Sequence, residues 1–266
     1  MVSIIIPCFN SGDFLLEAVE SCFRSYFKEI EILIINDGST DDLTISHLEG
    51  FEKSKKVSVL HQTNQGVANA RNYGVKHAKG HFLFFLDADN RIRPEYIGEA
   101  VAVMNTRPEV AVVYGKPYFF NETGEAPKRF TARPYSLDSL LVGNYIDMCA
   151  LVRKEAFDQV NGFDESRDLH GWEDWDLWVR IGLKQWGFYF LDKVLYEYRV
   201  EENSMMGKMT QDLYSEKLAY FTAKHSQVIF SRMKHYYPAV LGLRTRPFRF
   251  FVSFLVKKFI LRKKTI

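Results

Sequence analysis

The chain has 266 residues, 47% hydrophobic and 26% charged, with 16 Gly and 8 Pro, so it can bury a large core, and disordered, collagen-like and coiled-coil classes are excluded. Its three cysteines, Cys8, Cys22 and Cys149, are odd in number and widely spaced; they exclude a disulfide framework or zinc site and read as reduced thiols. The net charge of +2 hides a split, because residues 1–216 hold all 33 acids with 23 Lys/Arg, whereas residues 217–266 carry 12 Lys/Arg and no acid.

Val2–Pro7 is a β-branched run closed by proline, the first expected strand. No basic segment precedes it, so the reading expects no export signal and a cytoplasmic protein. Phe14–Phe23 puts Phe14, Leu15, Ala18, Val19 and Cys22 on one helical face. Glu31–Asn36 is a second apolar strand, and Asp41-Asp42 opens a helix through Leu48, since Asp is favoured at helix starts. Val57–His61 is a third strand, Asn69–Lys79 a helix ended by Gly80, and His81–Leu86 a fourth, almost wholly apolar strand. Strands separated by helix-length segments and apolar on both faces predict βαβ units in a parallel sheet covered on both sides. Further on, Tyr96–Asn105 reads as a helix, Val110–Tyr114 as a strand and Asn121–Gly124 as a hairpin turn. Residues 125–145 are polar and Pro-bearing, a mobile loop on this reading. Met148–Val152 is a strand, Lys154–Gln159 and Trp172–Gln185 are helices, and Gly187–Leu191 and Leu195–Arg199 are closing strands. The expected class is α/β, with a Rossmann-like, mostly parallel central sheet flanked by helices and a C-terminal helical basic extension.

Ligand groups of open parallel sheets gather past the carboxyl ends of strands. Here those positions are Pro7-Cys8-Phe9-Asn10, Asp37-Gly38-Ser39-Thr40-Asp41 and Asp87-Ala88-Asp89-Asn90. Each alone is a good turn former; together they bring an aromatic ring and several carboxylates to one edge. Asp87-x-Asp89, two carboxylates leaving a strand, suits a hard cation such as Mg²⁺ or Mn²⁺ that bridges phosphates. Arg71 could pair with the same phosphates. Trp172-Glu173-Asp174-Trp175-Asp176 opens a helix, where acids are favoured by the dipole. Three acids among three tryptophans, Trp178 included, exceed what capping needs: ring faces and hydroxyl acceptors suit a sugar.

Residues 2–205 resemble the family 2 inverting glycosyltransferases through VSIIIPCFN (2–10), ILIINDGSTDD (32–42), NQGVANARNYGVKHAKGHFLFFLDADN (64–90), NGFDE (161–165) and GWEDWDLWVR (171–180). The resemblance implies a GT-A fold over 1–206, with a nucleotide-binding half (1–90) and an acceptor half (91–206), followed by the extension 207–266. It also implies transfer of a sugar from a nucleotide-sugar, by family weight a UDP-sugar, to a carbohydrate or lipid-linked acceptor, in cell-surface polysaccharide or glycolipid synthesis, and no nucleic-acid partner. Phe9, flanked by Pro7 and Asn10, falls where the family stacks an aromatic on the base, and Asp37, with Ser39, where it holds the base edge. Arg71 falls near the base and diphosphate and Asp87 near the ribose and metal, and Arg199 remains a further candidate for the nucleotide-sugar. Asp89 falls on the metal ligand with Asp87 beside it, and Asp174 on the catalytic base, with Gly162, Trp172 and Glu173 around the sugar and acceptor. Glu201 stands where the family commonly has a histidine, as a further candidate for the metal.

Two other readings share these residues. An apolar strand ending in D-x-D also opens aspartate-nucleophile phosphatases, although Asn90-Arg91 follows here. A non-catalytic sugar-nucleotide or glycan-binding module is motivated by Glu201. In the basic end, Phe248, Phe251, Val252, Leu255, Val256, Phe259 and Ile260 fall on one helical face opposite Arg249, Ser253, Lys257 and Lys264. That pattern predicts a helix over 248–262 lying on an anionic membrane surface, the inner face of the plasma membrane, without spanning it.

Overall fold

The computed structural model describes residues 1–54, 56–201 and 210–245. The chain begins with β1 (Val2–Cys8), α1 (Asp13–Phe23), β2 (Ile30–Asp37), α2 (Asp42–Ser54), β3 (Ser58–Gln62), α3 (Val67–His77) and β4 (Phe82–Phe85). These elements form an α/β unit: β1 pairs in parallel with β2 on one side and β4 on the other, and β2 pairs in parallel with β3. Every residue of β4 is buried, as are all but Pro7 of β1. Burial of that kind needs helices on both faces, and each fully buried Ile, Val or Phe contributes roughly 1.5–3 kcal/mol. The Asp41-Asp42 expectation holds, since Asp41 Oδ1 accepts from the Thr44 amide at 2.8 Å to cap α2.

The next elements are β5 (Arg91–Ile92), α4 (Tyr96–Thr106), β6 (Val110–Asn121), β7 (Gly124–Glu125), α5 (Leu137–Leu140), β8 (Leu151–Arg153), α6 (Lys154–Gln159), α7 (Glu173–Leu183) and β9 (Gly187–Arg199). Among the described residues the sheet has nine strands, in the order β3-β2-β1-β4-β8-β6-β9-β5 with β7 beside β6. The expected parallel character holds through β4. Beyond it the sheet is mixed, with β8 antiparallel to both β4 and β6. The two closing strands are one strand, β9, because β6 continues past Tyr114 to Asn121 and gives it a parallel partner along its length, with irregular register near Lys116. Asn121–Gly124 is a hairpin turn as expected, with Asn121 opposite Gly124 and Asn121 Oδ1 accepting from Thr123 N.

Residues 125–145 are not a free loop. Ala126, Ala132, Leu140 and Tyr145 are buried. Tyr135 stacks on Phe188 with centroids 4.1 Å apart. Tyr114 Oη donates to Arg133 O at 2.6 Å. The segment is polar and Pro-bearing, which predicts mobility, but aromatic rings and backbone bonds anchor it.

The chain divides into two compact units, residues 1–217 and from Leu218 onward. Two helices, α8 (Gln211–Lys224) and α9 (Ser226–Thr245), follow the sheet. The helix expected over 248–262 lies outside the described residues. Among the described residues, no helix is long and apolar enough to cross a membrane.

Candidate active site

The direction of the chain crossovers reverses between β1 and β4, which makes their carboxyl ends the natural ligand crevice. Just past β1 the Phe9 side chain is 50% exposed, an open ring at the crevice edge. Its neighbour Asn10 adopts φ 49° and turns its side chain back on the β2 exit, where Oδ1 accepts from the Thr40 and Asp41 amides at 2.8 and 3.3 Å. The Asn10 amide donates to Ser39 Oγ at 3.1 Å. Gly38, at φ +76°, makes this turn possible, because a Cβ there would lie 2.9 Å from the Asn64 amide nitrogen.

Asp37 ends β2 and is buried. Its Oδ1 accepts from Gln62 Nε2 at 2.7 Å and from the Gln65 amide at 2.8 Å, and its Oδ2 from the Gly66 amide at 2.8 Å. The carboxylate therefore organises the 62–66 loop that leads into α3.

Arg71, on α3, is buried and held between two acids. Nη2 donates to Asp87 Oδ1 at 2.6 Å and Nη1 to Glu173 Oε1 at 2.8 Å. Burial works against its charge, yet Asp87 and Glu173 hold the guanidinium firmly protonated. Glu173 Oε2 in turn accepts from the Gly171 amide at 2.6 Å. Arg71 thus ties the exit of β4 to the first turn of α7. Arg199, at the end of β9, is likewise engaged: Nη2 donates to Glu17 at 2.6 Å, Nε to the Asp89 carbonyl at 3.0 Å, and its amide to Asn90 Oδ1 at 2.9 Å. Its guanidinium lies over Phe14 and Phe120. Both arginines buttress the Asp87–Asn90 turn from behind.

Four carboxylates are left close enough to repel one another: Asp87, Asp89, Asp147 and Asp174. Burial first, then the charge of Asp87, pushes Asp89 up to about 7. The same two causes push Asp147 up to about 7. Burial, then Glu173 and Asp147, raises Asp174 well above the usual carboxylate range. Asp174 Oδ1 accepts from the Trp175 amide at 2.6 Å and Oδ2 from Asn144 Nδ2 at 2.9 Å. Tyr198, on β9, feels the same four acids, and burial with their charge keeps its hydroxyl neutral.

Asp147 has no motif to mark it, yet topology puts it here. β8 runs antiparallel to β4, with Leu151 beside Phe84, so the residues entering β8 lie along those leaving β4. A polar residue immediately before an apolar strand was the available signal. Asn144, from the same segment, was hidden by the loop-like composition of 125–145.

The donor set suits a hard divalent cation: Asp87 and Asp89 offer oxygens, and although Arg71 pairs with Asp87 and the charge of Arg199 favours ionised Asp89, burial and the neighbouring acid still push Asp89 up. Among the described residues no three His, Cys, Asp or Glu side chains form a cage, so an ion would complete its shell with water or phosphate. Glu201 follows β9 and is partly buried.

Other residues around α7 are packed. Trp172 is 5% exposed and meets Trp175 with ring centroids 5.0 Å apart, so it is not an open platform. Trp178 is fully buried, its Nε1 donating to Ile146 O at 2.9 Å. Gly162, at φ +69°, sits where a Cβ would come within 2.6 Å of Asn72 Oδ1. It therefore serves close packing between α3 and the turn after α6.

Comparison with known proteins agrees with this geometry. The family model described as Glycosyl transferase family 2 matches residues 3–160, and Glycosyl transferase family group 2 matches 82–264. GlyG, a glycosyltransferase of Streptococcus pneumoniae, is 27% identical over 229 residues, covering 77% of this chain and 73% of GlyG. An uncharacterized glycosyltransferase of Rickettsia bellii is 29% identical over 192 residues, 68% of this chain but 27% of that protein. The chain thus spans about a quarter of that relative's length. The structure of S. aureus TarS 1–349 in complex with UDP-GlcNAc superposes with TM-score 0.64 at 24% identity, covering 81% of this chain and 64% of that one. A mannosyltransferase from Pyrobaculum calidifontis in complex with GDP-Man and Mn²⁺ gives TM-score 0.62 at 16% identity, covering 85% and 64%. These likenesses place the fold among GT-A glycosyltransferases, and since one family model covers more than half of the sequence, the chain belongs to glycosyl transferase family 2.

Proposed function

We propose that the chain is an inverting glycosyltransferase that moves a sugar from a nucleotide-sugar, most simply a UDP-sugar, to an acceptor hydroxyl. The observation that carries this reading is the Asp174 carboxylate. It is partly buried, raised in pKa and oriented by two donors, and through Glu173 and Arg71 it is braced against Asp87. In the proposed step Asp174 takes the proton of the acceptor hydroxyl as that oxygen attacks the anomeric carbon. The bond from that carbon to the diphosphate breaks from the opposite face, its electron pair leaving on the diphosphate oxygen. A raised pKa makes Asp174 a stronger base than an ordinary carboxylate. Phe9 offers its open ring to the nucleobase, and Asp37, Ser39 and Asn10 shape the loop around it. Mg²⁺ or Mn²⁺ bound by Asp89 with Asp87, and Glu201 as a further candidate ligand, would supply positive charge to the departing diphosphate. Two relatives of the fold support a nucleotide-sugar donor, one by its UDP-GlcNAc complex and one by its GDP-Man and Mn²⁺ complex. A carbohydrate or lipid-linked acceptor, as in cell-surface polysaccharide or glycolipid synthesis, fits a chain whose end is purely basic, which we assign to an anionic membrane surface on the cytoplasmic side.

The test is Asp174→Asn. Donor binding, followed by thermal shift with UDP-sugars and Mn²⁺, is expected to persist, while transfer falls about a hundredfold or more. NMR of the product's anomeric proton reads the inversion. Near-normal turnover by the variant, or retention at the anomeric carbon, would overturn the proposal.

A further inference from the structure

We infer that Asn144 is the positioning residue of this reaction: it locks the Asp174 carboxylate so that one free lone pair faces the acceptor hydroxyl. The inference rests on the reading of Asp174 as the base. Asn144 Nδ2 donates to Asp174 Oδ2 at 2.9 Å, and its own Oδ1 accepts from the Ile146 amide at 3.1 Å. The second bond fixes which end of the amide meets Asp174, since a flipped amide would turn oxygen on oxygen and nitrogen on nitrogen. On the other side, Asp174 Oδ1 is held by the Trp175 amide at 2.6 Å. Each carboxylate oxygen therefore has one fixed donor and a lone pair to spare, and rotation of the carboxylate would break both bonds.

The segment that carries Asn144 is itself clamped to the helix that carries Asp174. Trp175 Nε1 donates to Leu140 O at 2.5 Å and Trp178 Nε1 to Ile146 O at 2.9 Å. Base and orienter thus sit on two pieces of backbone stapled together on either side of their contact, a rigid pairing of the kind that preorganised catalysis requires. The charged and titratable groups facing Asp174 are Glu173 on the same helix, Asp147 on the Asn144 segment, Arg71 on α3 and Tyr198 on β9. Against two like charges, the Asn144 N–H is a neutral donor that favours the ionised, proton-accepting form.

Asn144→Asp is the sharpest test, because it keeps the size and the acceptor for the Ile146 amide but turns an oxygen toward Asp174. Asn144→Ala removes both bonds and serves if the aspartate variant does not fold. Thermal unfolding, donor KM, acceptor KM and kcat would be followed from pH 6 to 9 in the full chain. The expected result is a parental donor KM with kcat lowered at least tenfold, and the rising limb of kcat against pH displaced upward by about one unit. Parental kcat and pH limb in both variants, while Asp174→Asn abolishes transfer, would overturn the inference and leave the base reading standing. Equal losses in donor affinity and kcat would also overturn it, as the mark of a merely structural residue. Normal transfer by Asp174→Asn would remove the base reading, and the inference with it.

Discussion

Asp147→Asn should make the metal-free protein more stable at pH 8, with a gain that shrinks as pH falls from about 7 and vanishes only below about pH 4. Burial and the charge of Asp87 raise the Asp147 carboxyl from 3.8 to about 7. Between those values the native state binds a proton that the unfolded chain has released, so stability declines as pH rises through that window and the penalty is complete above pH 7. A rise of about three units at about 1.4 kcal/mol each sets a ceiling of roughly 4 kcal/mol. The side chain is only partly buried and repels other titrating acids, so about 1–2 kcal/mol is the realistic gain. Asparagine keeps the oxygen that accepts from the Cys149 amide at 2.9 Å, which leaves the backbone bond intact. For a domain of this size the gain corresponds to a rise in Tm of about 2–8 °C. Thermal unfolding in EDTA at half-unit steps from pH 4 to 8 reads it directly. A variant whose advantage is the same at every pH, or absent at pH 8, would refute the picture of mutually repelling acids.

The remaining expectations concern the two ends of the site and the basic tail. Asp89→Ala should abolish metal-dependent donor binding while leaving Tm within a few degrees of the parent or above it, read by titration of donor with and without Mn²⁺; unchanged metal dependence would move the ion elsewhere. Arg71→Met should destabilise the fold by about 3–5 kcal/mol at pH 7, because it strands the partly buried Asp87 and the buried Glu173; urea unfolding at pH 7 reads the loss, and a change under about 1 kcal/mol would refute the buried-pair account. A chain ending at Thr245 should lose sedimentation with anionic liposomes that the full chain shows at low salt, each basic residue near the surface contributing about 1 kcal/mol; equal pelleting of the two would remove the membrane assignment.

The parallel half of the sheet was legible because its signals are local. An apolar run bounded by Pro7, by Asp37-Gly38 or by Asp87 is readable within about ten residues, and β1, β2, β4 and α1 stand where those runs lie. The residues that meet the crevice from these strands were legible for the same reason. Roles were harder than places. Arg71 and Arg199 look like anion ligands in sequence, but a buried guanidinium must satisfy several donors, and here carboxylates and a carbonyl take them. Glu173 and Trp172 looked available to a sugar beside Asp174, whereas the fold uses one as an ion-pair partner and buries the other.

What escaped the sequence depends on long-range pairing. Asp147 and Asn144 gain their meaning only because β8 is antiparallel to β4 and because two tryptophan N–H groups bind the carbonyls of residues 140 and 146. Neither fact has a short-range signature. The same arrangement explains how the site can hold so much negative charge. The two arginines are spent behind the crevice, positioning Asp87, Glu173 and the turn at Asp89. The front is therefore left acidic, with Asp89, Asp147 and Asp174 all raised by burial and mutual repulsion. A site built this way should gain stability from donor plus metal that neither gives alone, since the ion offsets the carboxylates and the diphosphate completes its shell.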